Sequence, residues 1–78
     1  MEEKVLTLPE VCKEISADLK SRRITQKAAA EMMGTTKQTV ANQLSGKKRF
    51  SANMAEKFHD KLGYSLEFLL YGRGEMDA

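Results

Sequence analysis

Apolar residues recur along the chain at intervals of three and four positions, the spacing that places side chains on one face of an α-helix. The pattern starts at Leu8, resumes four times after short polar breaks and ends at Tyr71. No segment alternates between apolar and polar residues as a half-buried strand does. The pattern therefore predicts an all-α domain of five short helices. The positions predicted to face inward in the first four helices are Leu8, Val11, Cys12, Ile15, Leu19, Ala29, Ala30, Met33, Val40, Ala41, Leu44, Met54, Ala55, Phe58 and Leu62.

Hydroxyl residues precede each apolar segment, and glycines follow the last four. Thr7 and Glu10 have the spacing of a capping box, in which each side chain accepts from the other residue's amide. Thr25, Thr36, Ser51 and Ser65 are suited to cap the remaining helices. The predicted helices are 8 to 21 or 22, 26–33, 37–45, 52–62 and 66–71, with glycines after the last four at positions 34, 46, 63 and 72. We expect one domain over residues 1–78, with an ordered core of about 7–72 and a polar tail at 73–78.

Composition suits a soluble globular protein, and the residue types present argue against an enzyme. The 78 residues are 41% hydrophobic and 31% charged, as in a small globular domain. No apolar run reaches the ~18–20 residues of a membrane span, so a cytoplasmic location is expected. Cys12 and His59 are the only residues of their types, which leaves no partner for a metal cluster or a nucleophilic couple. We expect Cys12 to be a buried thiol and His59 a rim residue, with no catalytic residue, cofactor, metal or small-molecule substrate.

The net charge of +2 is unevenly distributed along the chain. Residues 22–49 contain seven basic residues and one acidic residue, a balance of +6. Residues 1–21 and residues 50–78 each contain three basic and five acidic residues, a balance of −2. A basic middle between acidic ends is typical of a surface that binds a polyanion, although an ordinary solvated face remains the alternative.

The third predicted helix carries side chains suited to reading base edges. Lys37 can donate to guanine, Gln38 can pair with adenine, and Thr39 or the methyl group of Thr36 can contact a thymine methyl. Asn42 lies one turn beyond Gln38 on the same face. Taken singly, these residues fit an ordinary helix surface; together, beside a turn glycine and a basic segment, they predict a DNA interface. The phosphate contacts predicted around them come from Arg23, Gln26, Lys27 and the segment Lys47–Arg49, called here the basic loop.

The segment from Thr25 to Arg49 resembles the helix-turn-helix of the lambdoid phage repressor and Cro (Xre-like) family. The residues that carry the resemblance are Gln26, Ala30, Gly34, Val40 and Gly46, with the basic loop after them. The resemblance extends over nearly all of residues 11–70. It implies a five-helix lambda-repressor-like fold in a bacterial or phage protein. It also implies a sequence-specific regulator of transcription, expected to be a repressor, that binds double-stranded DNA with its third helix in the major groove of a pseudo-palindromic operator. By position, the family's base contacts fall on Lys37, Gln38 and Asn42, and its phosphate contact on Gln26.

Three positions depart from the family pattern. Ala29 replaces a larger aliphatic residue, and Asn42 is shorter than the residues usual at its position. Gln43 occupies a position where a bulky apolar residue is common. We expect Gln43 to be partly exposed and to contact a phosphate, with Leu44 taking over the packing.

The last predicted helix is apolar on most of its surface. Leu66, Phe68, Leu70 and Tyr71 are therefore expected to form the interface of a homodimer, unless they only cover the core of a monomer. Two other functions remain open: a DNA-binding antitoxin paired with a toxin protein, and a helical protein-interaction module without DNA binding. Salt dependence distinguishes the protein-interaction module from a DNA-binding protein, because binding to DNA weakens steeply as the salt concentration rises.

Overall fold

The computed structural model describes residues 5–77, which contain five α-helices. They are α1 Leu8–Ser21, α2 Gln26–Met33, α3 Lys37–Leu44, α4 Ala52–Leu62 and α5 Leu66–Tyr71. The predicted all-α fold and its five helices are confirmed. The one shift in a boundary is that α3 ends at Leu44, with Ser45 as its C-cap. The parts of the predicted domain at residues 1–4 and 78 lie outside the described residues.

Each helix begins at the hydroxyl residue expected from the sequence. At α1 the Thr7 amide donates to the Glu10 carboxylate at 2.9 Å and the Glu10 amide donates to the Thr7 hydroxyl at 3.4 Å, which completes the capping box. At the other four helices the cap hydroxyl accepts from the amide three residues on, at 3.0 to 3.4 Å. Each such cap contributes about 1 kcal/mol to the stability of the helix. Local side-chain chemistry therefore sets where the helices start.

The helices enclose one apolar core. α2 packs against α3 and α4, α1 packs against α3, and α5 packs against α4. Ala29 and Ala30 are buried, and their small side chains let α2 approach its neighbours closely. Most of the predicted inward residues are buried, whereas Leu8, Ala41, Leu44 and Met54 are only half-buried.

Two buried aromatic residues lie between helices, outside the predicted apolar stripes. Phe50 meets Phe58 edge to face, with ring centroids 5.2 Å apart, and the Phe58 and Tyr64 centroids are 6.3 Å apart. Phe50 follows the basic loop directly and Tyr64 connects α4 to α5. Phe50 therefore anchors the end of the basic loop in the core.

The chain segments outside α1 and α5 also pack onto the domain. The Leu6 amide donates to the Gly72 carbonyl at 2.8 Å, and the Ser65 amide donates to the Met76 carbonyl at 2.8 Å. Met76, within the expected polar tail, packs against the core. Gly72 has a φ of +68°, and a β-carbon there would collide with the Leu6 carbonyl oxygen. Residues on both sides of 7–72 therefore contact the rest of the domain.

Candidate nucleic-acid interface

The polar face of α3 is held outward by a tight turn after α2. Gly34 ends α2 with a φ of +69°, a conformation that glycine adopts without strain. The Thr35 amide donates to the Ala30 carbonyl at 2.9 Å, and fully buried Val40 fixes α3 against the core. The predicted base-contacting residues then face solvent: Thr36, Lys37, Gln38 and Asn42 are exposed and Thr39 is half-buried.

Two pairs of side chains on this face bind each other. Gln38 Nε2 donates to Asn42 Oδ1 at 2.9 Å. The Thr36 and Thr39 hydroxyl oxygens are 2.8 Å apart, and the Thr36 hydroxyl also accepts from the Thr39 amide. Because these bonds restrict rotamers that would otherwise be free, the polar groups are partly arranged before any DNA is bound.

The basic loop lies beside this face. Lys47, Lys48 and Arg49 are exposed, between Gly46 and the buried Phe50. Gly46 has a φ of +79°, and a β-carbon there would lie 3.2 Å from Pro9 Cα, so the loop passes close to the start of α1. Side chains of α3 and of the basic loop line one groove, called here the reading groove, which comprises Thr39, Asn42, Gln43, Lys48, Arg49, Ser51 and Met54. The fold thus places two predicted base-reading residues, Thr39 and Asn42, in one groove with the predicted phosphate contacts Lys48 and Arg49.

The expectation that Gln43 is partly exposed is wrong, and its predicted contact with a phosphate is not supported. Its exposure is 8%, and its Nε2 donates to the Lys48 carbonyl at 2.9 Å. Its own backbone carbonyl lies 3.4 Å from the Cys12 thiol, which donates to it. Gln43 follows Val40 by three positions, which turns it inward on α3, and the Lys48 carbonyl satisfies its amide there. Leu44, which is half-buried, packs against the core beside it. Gln43 therefore ties α3 to the basic loop.

The other predicted phosphate contacts surround the start of α2. Arg23 and Lys27 are exposed and Gln26 is half-buried. Arg23 and Gln26 line a second groove, which also includes Leu44. The first turns of α2 and α3 contain only neutral and basic residues, which leaves the positive ends of both helix dipoles available to an anion.

A family model described as Helix-turn-helix matches residues 15–69, which include α2, α3 and the basic loop. The chain belongs to the Cro/C1-type helix-turn-helix family. This family comprises DNA-binding regulatory domains and is not an enzyme family. The chain is therefore a double-stranded-DNA-binding regulatory domain, with α2, the turn at 34–36 and α3 as its helix-turn-helix unit. No curated protein matches the chain.

Arg22, one of the seven basic residues of the central region, contacts Asp18 and Tyr64. Its Nε atom lies 3.0 Å from Asp18 Oδ2, and its guanidinium carbon lies 5.2 Å from the centroid of the Tyr64 ring. The Tyr64 hydroxyl donates to Asp18 Oδ2 at 2.7 Å. Burial and the Asp18 carboxylate raise the pKa of Tyr64 to about 12. This cluster joins the end of α1 to the connection between α4 and α5, so Arg22 has a structural role that its charge alone does not reveal.

The residues predicted for a dimer interface divide into two groups. Phe68 is only 2% exposed, so its predicted place in the interface of this helix-turn-helix domain is wrong; it faces inward and fills the core. Tyr71 is 64% exposed, Leu66 is 36% exposed and Leu70 is half-buried.

Cys12 is buried and His59 is half-buried, with His59 Nδ1 lying 2.7 Å from the Tyr64 carbonyl. Within residues 5–77, no helix is long and apolar enough to cross a membrane, and no group of three or more potential ligands is placed to hold a metal.

Proposed function

We propose that this chain is a sequence-specific transcriptional regulator that binds a pseudo-palindromic operator as a homodimer and represses transcription. The observation that carries the proposal is the reading groove, in which Thr39 and Asn42 of α3 lie beside Lys48 and Arg49 of the basic loop. A major groove accommodates an α-helix, and base edges there distinguish all four base pairs. α3 supplies the polar groups for this purpose, and the loop supplies charge beside them.

The side chains of α3 match different base edges. The Lys37 ammonium donates to the O6 and N7 atoms of guanine, and the Gln38 amide pairs with adenine. Thr39 and the methyl group of Thr36 contact a thymine methyl, and Asn42 extends this face toward the C-terminal end of α3. Repression follows most simply from the protein's occupying DNA that the transcription machinery needs.

Phosphate contacts position the domain on the duplex. On one side we assign them to Arg23, Gln26 and Lys27, near the positive end of α2. On the other side we assign them to the basic loop, whose path is held by Gln43, Gly46 and Phe50. The five cations of this set, Arg23, Lys27, Lys47, Lys48 and Arg49, would give a slope of about −4 to −5 for the logarithm of affinity against the logarithm of salt concentration, per protomer.

A twofold dimer matches the operator symmetry. Leu66, Leu70 and Tyr71 offer apolar surface on α5. Two copies joined there would place their α3 helices in half-sites about 34 Å apart, one turn of the duplex.

Selection from a random duplex-DNA pool, followed by titration of the selected site at several salt concentrations, tests the proposal. The chain should select a motif with twofold symmetry. Gln38→Ala should cost about 1–3 kcal/mol of base discrimination at one position of each half-site. Lys48→Ala should instead weaken binding to all DNA sequences alike and reduce the salt slope by about 1 per protomer. Binding unaffected by both changes, or retention of a protein partner that is insensitive to salt, would indicate a protein-interaction module.

A further inference from the structure

The hydrogen bond between Gln38 and Asn42 reduces the ways in which Gln38 can meet a base. The two residues are four positions apart and both are exposed. Gln38 Nε2 donates to Asn42 Oδ1 at 2.9 Å. A glutamine amide has two N–H donors and one carbonyl acceptor. With one donor engaged by Asn42, Gln38 presents one N–H group and one carbonyl oxygen.

That remaining pair of groups distinguishes the two purines. In the major groove adenine presents the N7 acceptor and the N6 amino donor, which are complementary to one N–H group and one carbonyl. Guanine presents N7 and O6, which are both acceptors. An unconstrained glutamine amide could direct both N–H donors at guanine, but an amide bound to Asn42 has only one donor left.

We propose that Asn42 is a positioning residue, which makes Gln38 select adenine over guanine by occupying one of its two N–H donors. This inference rests on the proposed function and refines the role of Asn42 within it. Asn42 then acts through Gln38, and its loss changes the readout at the base pair that Gln38 contacts. A direct contact by Asn42 would affect a different base pair.

Two substitutions of Asn42 separate these roles. Asn42→Ala removes the acceptor, whereas Asn42→Asp keeps an acceptor oxygen for Gln38 Nε2 but loses the amide donors. Each variant would be put through the same selection from random duplex DNA, with Gln38→Ala identifying the base pair that Gln38 reads. Thermal melting would check the fold, which is expected to persist because residue 42 is exposed.

Asn42→Ala should reduce the preference for adenine over guanine at the Gln38 position on the order of tenfold, within the range of a bidentate base contact. Asn42→Asp should keep that preference while weakening binding to all sequences, because it adds a negative charge near phosphates. An unchanged preference in Asn42→Ala, or a loss confined to another base pair, would overturn this inference and leave the proposed function standing. A wild-type chain that selects no motif would overturn both.

Discussion

Arg23 has a left-handed backbone conformation, which is strained for any residue that has a β-carbon. Its φ is 59°, in the left-handed region, where the other described residues with positive φ are all glycines. The Arg23 amide donates to the Lys20 carbonyl at 3.0 Å, and the Ile24 amide donates to the Leu19 carbonyl at 2.8 Å. These two bonds form a Schellman motif, whose left-handed position usually holds glycine. Arg23 therefore combines a strained backbone with an exposed charge beside the start of α2.

Arg23→Gly should therefore stabilise the fold and weaken DNA binding. Relief of the left-handed strain should raise the free energy of unfolding by about 0.5–1 kcal/mol, because the β-carbon is removed. Loss of the guanidinium should weaken binding to all DNA sequences and reduce the salt slope by about 1 per protomer. Urea denaturation and titration of selected DNA at several salt concentrations measure the two effects.

Arg23→Asn provides the matched control, because asparagine tolerates the left-handed region and carries no charge. It should bind DNA as weakly as Arg23→Gly but gain less stability. An unaltered salt slope in both variants would remove Arg23 from the phosphate contacts.

At the scale of the helices, the extent to which sequence predicts structure depends on how far apart the interacting residues are. The caps at Thr25, Thr36 and Ser51 depend on amides three residues away, so the sequence alone locates the helix starts. Gly34 likewise marks the turn of the helix-turn-helix, because left-handed backbone is costly for other residues. Most of the helical faces follow from spacing.

Contacts between distant parts of the chain are not visible in local patterns. Tyr64 binds Asp18, 46 positions away, so neither its burial nor the engagement of Arg22 could be predicted from charge or periodicity. Gln43 is the corresponding case in the candidate site. A polar residue on α3 is predicted to be exposed unless a hydrogen-bond partner inside the protein is known. Here the partner is the backbone carbonyl of Lys48. Because every residue has a backbone carbonyl, the sequence does not single this one out. The exposure of Lys37, Gln38 and Asn42 could be predicted, whereas the hydrogen bond that supports the basic loop could not.

The link between α3 and the basic loop predicts a distinct effect for Gln43→Leu. Leucine has a similar size and suits a buried position, so the stability should change by less than about 1.5 kcal/mol. The bond to the Lys48 carbonyl is lost, which loosens the loop and should weaken binding by about two- to tenfold, the worth of one hydrogen bond. Base preference should remain the same. Fluorescence anisotropy with the selected operator and with single-base variants of it measures both quantities.

A double-mutant cycle with Lys48→Ala isolates the mechanism. Lys48→Ala removes the side-chain charge but keeps the backbone carbonyl that Gln43 binds. If Gln43 acts by positioning the loop, the combined variant should lose less affinity than the sum of the two single losses. Strict additivity would show that Gln43 affects DNA binding by another route.

Across the whole molecule, the apolar surface of α5 lies next to the basic loop. Arg49 lines a groove together with Leu70 and Tyr71, and Val5 and Leu6 also line it. Arg49 also lines the reading groove. A second copy docked on α5 would therefore lie close to a residue that we assign to a phosphate contact. Dimerisation and DNA binding would then be coupled through Arg49, which lines both grooves.

Tyr71→Gln tests this arrangement, with Met32→Gln as the matched control. Both residues are exposed apolar side chains, at 64% for Tyr71 and 45% for Met32, but Met32 lies on α2, away from the predicted dimer interface. Loss of an aromatic residue from an interface costs about 1 kcal/mol or more of binding energy. In a twofold dimer both protomers contribute the residue, so this cost is incurred twice. Sedimentation at micromolar concentration should show a dimer for the wild type and for Met32→Gln, and a dissociation constant raised about 30-fold or more for Tyr71→Gln. The full operator should bind Tyr71→Gln more weakly, whereas a single half-site should bind all three proteins alike. A wild type that stays monomeric both free and on the operator would rule out the dimer, and equal sedimentation of the two variants would place its interface elsewhere.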